Sequence, residues 1–170
     1  MPAGLKQSSS VVSVGFGITE TAPNTLAQSQ VDLNLSPLDR EVFVVLAINI
    51  DTDFPDALAG VDTAVRAAVT TTSQTTMPTL QNSNCLSRIN SAIRALGFVD
   101  GGVGFQSAAL ETPPSTLEYI GIIATNDFFV QVQGDNNTTL SGASGKMYGY
   151  RAVASADIYA ALVQSEVLSA

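Results

Sequence analysis

The residues best suited to chemistry in this sequence are carboxylates. Asp51, Asp53 and Asp56 form its densest acidic group, and carboxylates so spaced at a strand end can share a calcium ion through hard oxygen ligands. They do not complete an EF-hand loop, which needs a glycine at its sixth position and a glutamate at its twelfth. The same residues could supply the acid and base of glycoside cleavage, which needs two carboxylates about 5 to 10 Å apart. A solvated acidic turn is the plain structural alternative, and no metal or other cofactor is expected. Histidine is absent altogether. Its absence removes the commonest general base, the commonest metal ligand and the usual partner of a serine or cysteine nucleophile. One cysteine, Cys85, cannot form an internal disulfide or a thiolate zinc site alone, and is expected to pack as a small half-buried apolar residue.

The glycine-rich stretches do not complete phosphate-binding motifs. Gly142-Ala143-Ser144-Gly145-Lys146 has the end of a phosphate loop, but Leu140 stands where its first glycine belongs and Met147 follows the lysine. Gly15-Phe16-Gly17 lacks the third glycine of a dinucleotide fingerprint, and Gly101-Gly102-Val103-Gly104 has the wrong spacing. These glycines read as turns, bends and bulges. Asn136-Asn137-Thr138-Thr139 contains two overlapping glycosylation acceptors, which matter only in a glycosylating compartment.

The elements that must position these residues are mostly strands. Val12, Val14, Phe16 and Ile18 alternate with small residues, as do Val31, Leu33 and Leu35 with polar ones. Ser36-Pro37-Leu38-Asp39 supplies turn chemistry before the apolar run Val42 to Ile50, so these two strands form a candidate hairpin with the second strand central. Val61 to Thr71 keeps the period of two. Leu86, Ile89, Ile93 and Leu96 fall at helical spacing between Ser83 and Gly97, which predicts one short inserted helix. Strands resume at Val103 to Leu110, Leu117 to Ala124, Phe128 to Val132 and Met147 to Ala154, with Pro113-Pro114 and a Gly134 to Gly145 loop among the separators. Residues 155–170 read as a C-terminal helix capped by Ser155, and residues 1–11 as a flexible N-terminal strap. The expectation is one all-β domain over residues 1–170, an eight-stranded β-sandwich of jelly-roll type.

Composition narrows the partners. Seven basic against fifteen acidic residues give a net charge of −8, which opposes binding to phosphate backbones and anionic lipid. No direct nucleic acid binding is expected. The longest apolar run, Val42 to Ile48, is too short to span a bilayer, and the first residues carry no Sec-type secretion signal. A content of 45% apolar and 13% charged residues leaves little polar material for a monomer's surface, so association with copies of itself is expected.

In strand count, in its low-charge Ser/Thr/Ala/Gly-rich composition, and in the run Met147-Tyr148-Gly149-Tyr150-Arg151-Ala152-Val153-Ala154 before an end helix, the chain resembles single jelly-roll capsid proteins of tailless viruses. The resemblance implies a capsid subunit in the virion, without an active site, that packs against its copies and other shell proteins. It departs from members with a basic arm, so another component would neutralise the genome. A β-sandwich module binding glycan or another ligand, and a carboxylate-based glycoside enzyme, are the alternative readings. Ile158, Tyr159, Leu162, Val163, Val167 and Leu168 surround more of the end helix than one sandwich face covers, and are the expected assembly residues.

Overall fold

Strands alternate their side chains between two faces, so a strand apolar at every position must be covered on both. That condition holds for β4 (Glu41–Thr52), whose Val42, Phe43, Val44 and Val45 are all fully buried. In the computed structural model, which describes residues 1–108 and 117–169, β4 lies inside a five-stranded sheet. It pairs on one side with β10 (Gly142–Ala154) and on the other with the short β8 (Gly121–Ile123). β1 (Leu5–Gln7) and β2 (Val12–Thr19) share the far edge of β10. The facing sheet runs β3 (Ala27–Asp32), β9 (Asp127–Asp135), β5 (Thr63–Thr70), β6 (Cys85–Arg94) and β7 (Val103–Ala108). α1 (Ala156–Ser169) follows β10.

Phe43 and Val45 point between the sheets, with Phe16, Val69, Ile123, Phe128, Val130 and Met147. Val42 and Val44 point outward, where Ile158, Tyr159, Leu162 and Val163 of α1 cover them. At Leu46 the register of β4 against β10 slips by one residue. The slip moves the inward set from Phe43 and Val45 to Ile48 and Ile50, as a β-bulge does. Phe16 and Phe128 close the core edge to face, with centroids 5.9 Å apart. β10 can lie this close to β4 only because two of its residues lack a side chain. A Cβ at Gly145 would stand 2.2 Å from the Asn49 carbonyl and against the Phe16 ring, and one at Gly149 would stand 2.3 Å from the Val44 carbonyl.

The strand partnerships are antiparallel and nested: β2 with β10, β3 with β9, β4 with β8, and β5 with β6. That nesting across two packed sheets is a jelly roll, the fold expected from the pattern. Its details depart from expectation at four places. The segment Ser83 to Gly97 is not a helix but β6, paired along both edges by β5 and β7. Its inward face reads Ser87, Ile89, Ser91, and the Ser91 hydroxyl is 2.8 Å from that of Thr52. Two buried serines thus hid the period of two, and Leu96, which the helix would have buried, is 74% exposed.

The candidate hairpin of Val31–Leu35 with Val42–Ile50 does not form. β3 and β4 belong to opposite sheets, and the chain crosses between them on buried Leu33 and Leu35, whose N–H groups donate to the Asn126 carbonyl and Oδ1. The stretch 1–11 contains β1, with Leu5 buried and the Gly4 carbonyl accepting from Ser155 N–H. The expected long loop from Gly134 to Gly145 shrinks to residues 136–141, because β9 and β10 extend into it. Residues 109, 110, 113 and 114, expected as a strand end and a proline turn, lie outside the described residues.

Gly149→Val should drive a branched side chain into the Val44 carbonyl and the Phe43 ring. We expect a loss of roughly 1–3 kcal/mol or more, read as a lowered denaturant midpoint at unchanged slope.

Candidate functional site

The loops at the ends of the sandwich are held by carboxylates accepting backbone N–H bonds. Glu20, buried just after β2, accepts from Gly134 N–H at 2.6 Å and Ser141 N–H at 2.8 Å, closing the base of the β9–β10 turn. Asn137 at its tip is buried too, and donates to the Ala64 carbonyl while its N–H donates to Asn24 Oδ1. Asp56, in the β4–β5 loop, takes the rest of the turn. Its Oδ2 accepts from the N–H and hydroxyl of Thr138 and the N–H of Thr139, and its Oδ1 from the Thr139 hydroxyl. Those donors, the Thr138 hydroxyl foremost, hold its carboxyl down at about 2.

The acidic trio is therefore not gathered. Asp53 accepts the Gly142 N–H, Asp56 is wrapped by two threonines, and Asp51 is exposed on β4 opposite Ser144. Among the described residues no group of three metal-ligating side chains assembles. Asn136, the first glycosylation acceptor, donates to the Asp62 carbonyl. The hydroxyls and amides that a ligand-binding turn would offer are committed to this chain.

α1 lies on the outer face of the first sheet, and its six candidate assembly residues divide. Ile158, Tyr159, Leu162 and Val163 pack on their own sheet, whereas Val167 and Leu168 are exposed. Sequence reasoning missed Glu166 on the packed stripe. Its Oε1 accepts from Ala124 N–H at 2.8 Å and its Oε2 from Thr125 N–H at 3.0 Å, pinning the helix end to the β8–β9 connection. Its spacing from Tyr159, Leu162 and Val163 is the signal that could have found it. Burial pushes its carboxyl up, against the two N–H bonds that lower it.

The site that sequence reasoning missed entirely is apolar. Where the β4–β5 loop meets the β6–β7 turn, a cavity of about 380 Å³ is lined by Phe54, Ala57, Leu58, Ile93, Ala95 and Gly102. Around it Phe54 is 89% and Val99 87% exposed, and Leu96, Phe98, Val103 and Phe105 are exposed too. Asp62 is bonded to the lining at Ala95. Its Oδ1 accepts from Ala95 and Leu96 N–H, both at 2.9 Å, and its Oδ2 meets Arg94 at 2.8 Å. The Leu96 N–H foremost holds this carboxyl below its ordinary range. Cys85 is half-buried, and burial pushes its thiol up.

No family model matches the chain, and no curated protein matches it. Among solved structures, one titled Desmodium yellow mottle tymovirus is similar at a TM-score of 0.33 and 16% identity, over 92% of this chain and 95% of that one. A likeness at that score and identity does not specify function.

Glu166→Gln leaves one acceptor where two N–H groups need one each. It should cost roughly 1–3 kcal/mol in chemical denaturation. The two carboxylates also titrate with opposite sign. The raised Glu166 contributes stability that is present below its ordinary 4.5 and lost as pH rises through the raised value. The depressed Asp56 contributes stability present above 3.8 and lost as pH falls towards about 2. Stability measured against pH should therefore have a shallower acid limb between those two values in Asp56→Asn, the depressed Asp62 retaining the remainder, and an unchanged one in Glu166→Gln.

Proposed function

We propose that this chain is a structural subunit that assembles with copies of itself into a closed shell, and specifically a viral capsid protein resident in the virion. The observation that carries the reading is the number of large apolar side chains exposed among the described residues of the β4–β5 loop, the β6–β7 turn and β7, namely Phe54, Leu96, Phe98, Val99, Val103 and Phe105. Soluble monomers rarely leave a contiguous patch of large apolar side chains in water, and such patches mark interaction surfaces. The jelly roll is a scaffold that capsid proteins use, although lectins and cupins share it, so the surface and not the fold selects among them.

The ligand-binding alternative draws less support, because the β9–β10 turn spends its polar groups on Asp56, Asn24 and Ala64. We assign the chain no catalytic role. Its partners in this reading are copies of itself and other shell proteins, and its charge of −8 leaves genome neutralisation to another component.

Electron microscopy and light scattering of the purified protein over a concentration series test the reading. Rings, sheets or shells should appear as concentration rises, and a Val99→Asp, Phe105→Asp double variant should remain folded by circular dichroism and stay small. A wild-type protein that is monomeric at every concentration overturns it.

A further inference from the structure

A strand at the edge of a sheet presents a row of unpaired N–H and C=O groups, and soluble proteins blunt such edges with charge, proline or brevity. Taking the self-assembly proposed above as the premise, we propose that β7 pairs antiparallel with β7 of a second copy about a two-fold axis, which continues the second sheet across both subunits.

β7 pairs with β6 along one side, and no strand among the described residues lies along its other. Its sequence, Val103-Gly104-Phe105-Gln106-Ser107-Ala108, has neither charge nor proline. Three other edges are blunted: β1 carries Lys6, β3 ends on Asp32, and β8 is three residues long. β2 is uncharged too, but it exposes Ser13, Gly15, Gly17 and Thr19, with Val12 its one exposed large apolar residue.

Beside β7 the apolar surface is wide. Val103 and Phe105 lie opposite Arg94 and Ala92, on the face turned away from the other sheet, and are 48% and 58% exposed. Phe54 reaches the same edge, where it lines a hollow of about 200 Å³ with Ala92, Ile93 and Phe105. With Leu96, Phe98 and Val99 of the β6–β7 turn, these side chains leave on the order of 700 Å² in water, against the roughly 800 Å² per partner of a standard interface.

The strand is also complementary to itself. Val103 and Phe105 stand two residues apart and so share a face, and antiparallel pairing centred on Gly104 sets the Val103 of each copy opposite the Phe105 of the other. An aromatic opposite a β-branched residue is a cross-strand combination that stabilises antiparallel sheets. Gly104 brings no side chain to the axis, and a Cβ there would meet nothing within 4 Å. A two-fold contact uses the same patch on both copies, and an uncharged strand is where two chains of net charge −8 can meet with least repulsion.

Two cysteine variants of the full chain in a Cys85→Ala background test the pairing: Gly104→Cys, and Gly15→Cys on the other uncharged edge, where a Cβ likewise meets nothing within 4 Å. Opposed residues of an antiparallel pair have Cα atoms about 4.5–5.5 Å apart, within the span of a disulfide. Oxidised glutathione should convert most of Gly104→Cys into a covalent dimer on a non-reducing gel and leave Gly15→Cys uncrosslinked. Phe105→Lys, folded by circular dichroism, should raise the concentration of half-association in sedimentation by about tenfold or more. If the wild type associates, an uncrosslinked Gly104→Cys or a Phe105→Lys that associates equally well overturns the pairing and leaves the proposed function standing. A wild type that is monomeric at every concentration overturns both.

Discussion

Burying β4 and β10 on both faces is the constraint from which the rest of the structure follows. A strand buried on one side can leave its other face to water, but Val42 and Val44 on one face and Phe43 and Val45 on the other are all inaccessible. Two separate covers are then needed. The second sheet supplies one, and α1 with β1 supplies the other. Each fully buried Val or Phe contributes about 1.5–3 kcal/mol, so Val42 and Val44 offset part of the cost of ordering the helix laid over them. The same close approach explains why Gly145 and Gly149 stand in β10, where the sheet would otherwise seem to invite β-branched residues.

Closing the sandwich this tightly leaves backbone groups stranded where strands end, and buried N–H groups without partners are costly. Glu20, Asp56 and Glu166 answer that need at different connections, each accepting at least two bonds from main-chain or threonine donors. Acidic residues that composition suggests for metal or catalysis are thus largely structural acceptors. The result is ends that are stiff, and stiff ends can present a fixed surface.

What the ends present differs. One shows an apolar cavity with no charged residue in its lining, and the other a hydrogen-bonded turn with Leu38 and Arg40 exposed. A net charge of −8 makes copies of the chain repel one another at long range.

The residue order alone determined the all-β class, eight of the ten strands among the described residues, and the end helix, because alternation and turn residues are local signals. It also determined that no ordinary histidine-based site exists, a matter of composition. Tertiary structure decided the rest. Ser87 and Ser91 read as exposed polar residues until the partner Thr52 and the flanking β5 and β7 make them the inward face of a strand. Glu166 sits on an apolar stripe that only its two distant N–H partners justify. The cavity was illegible for a further reason: its walls come from residues 54–59 and 93–104, and no pattern along the chain records which loops a nested fold brings together in space. Leu38 and Arg40 looked like ordinary turn residues, and it is the fold that leaves both exposed, at the opposite end of β4 from the cavity.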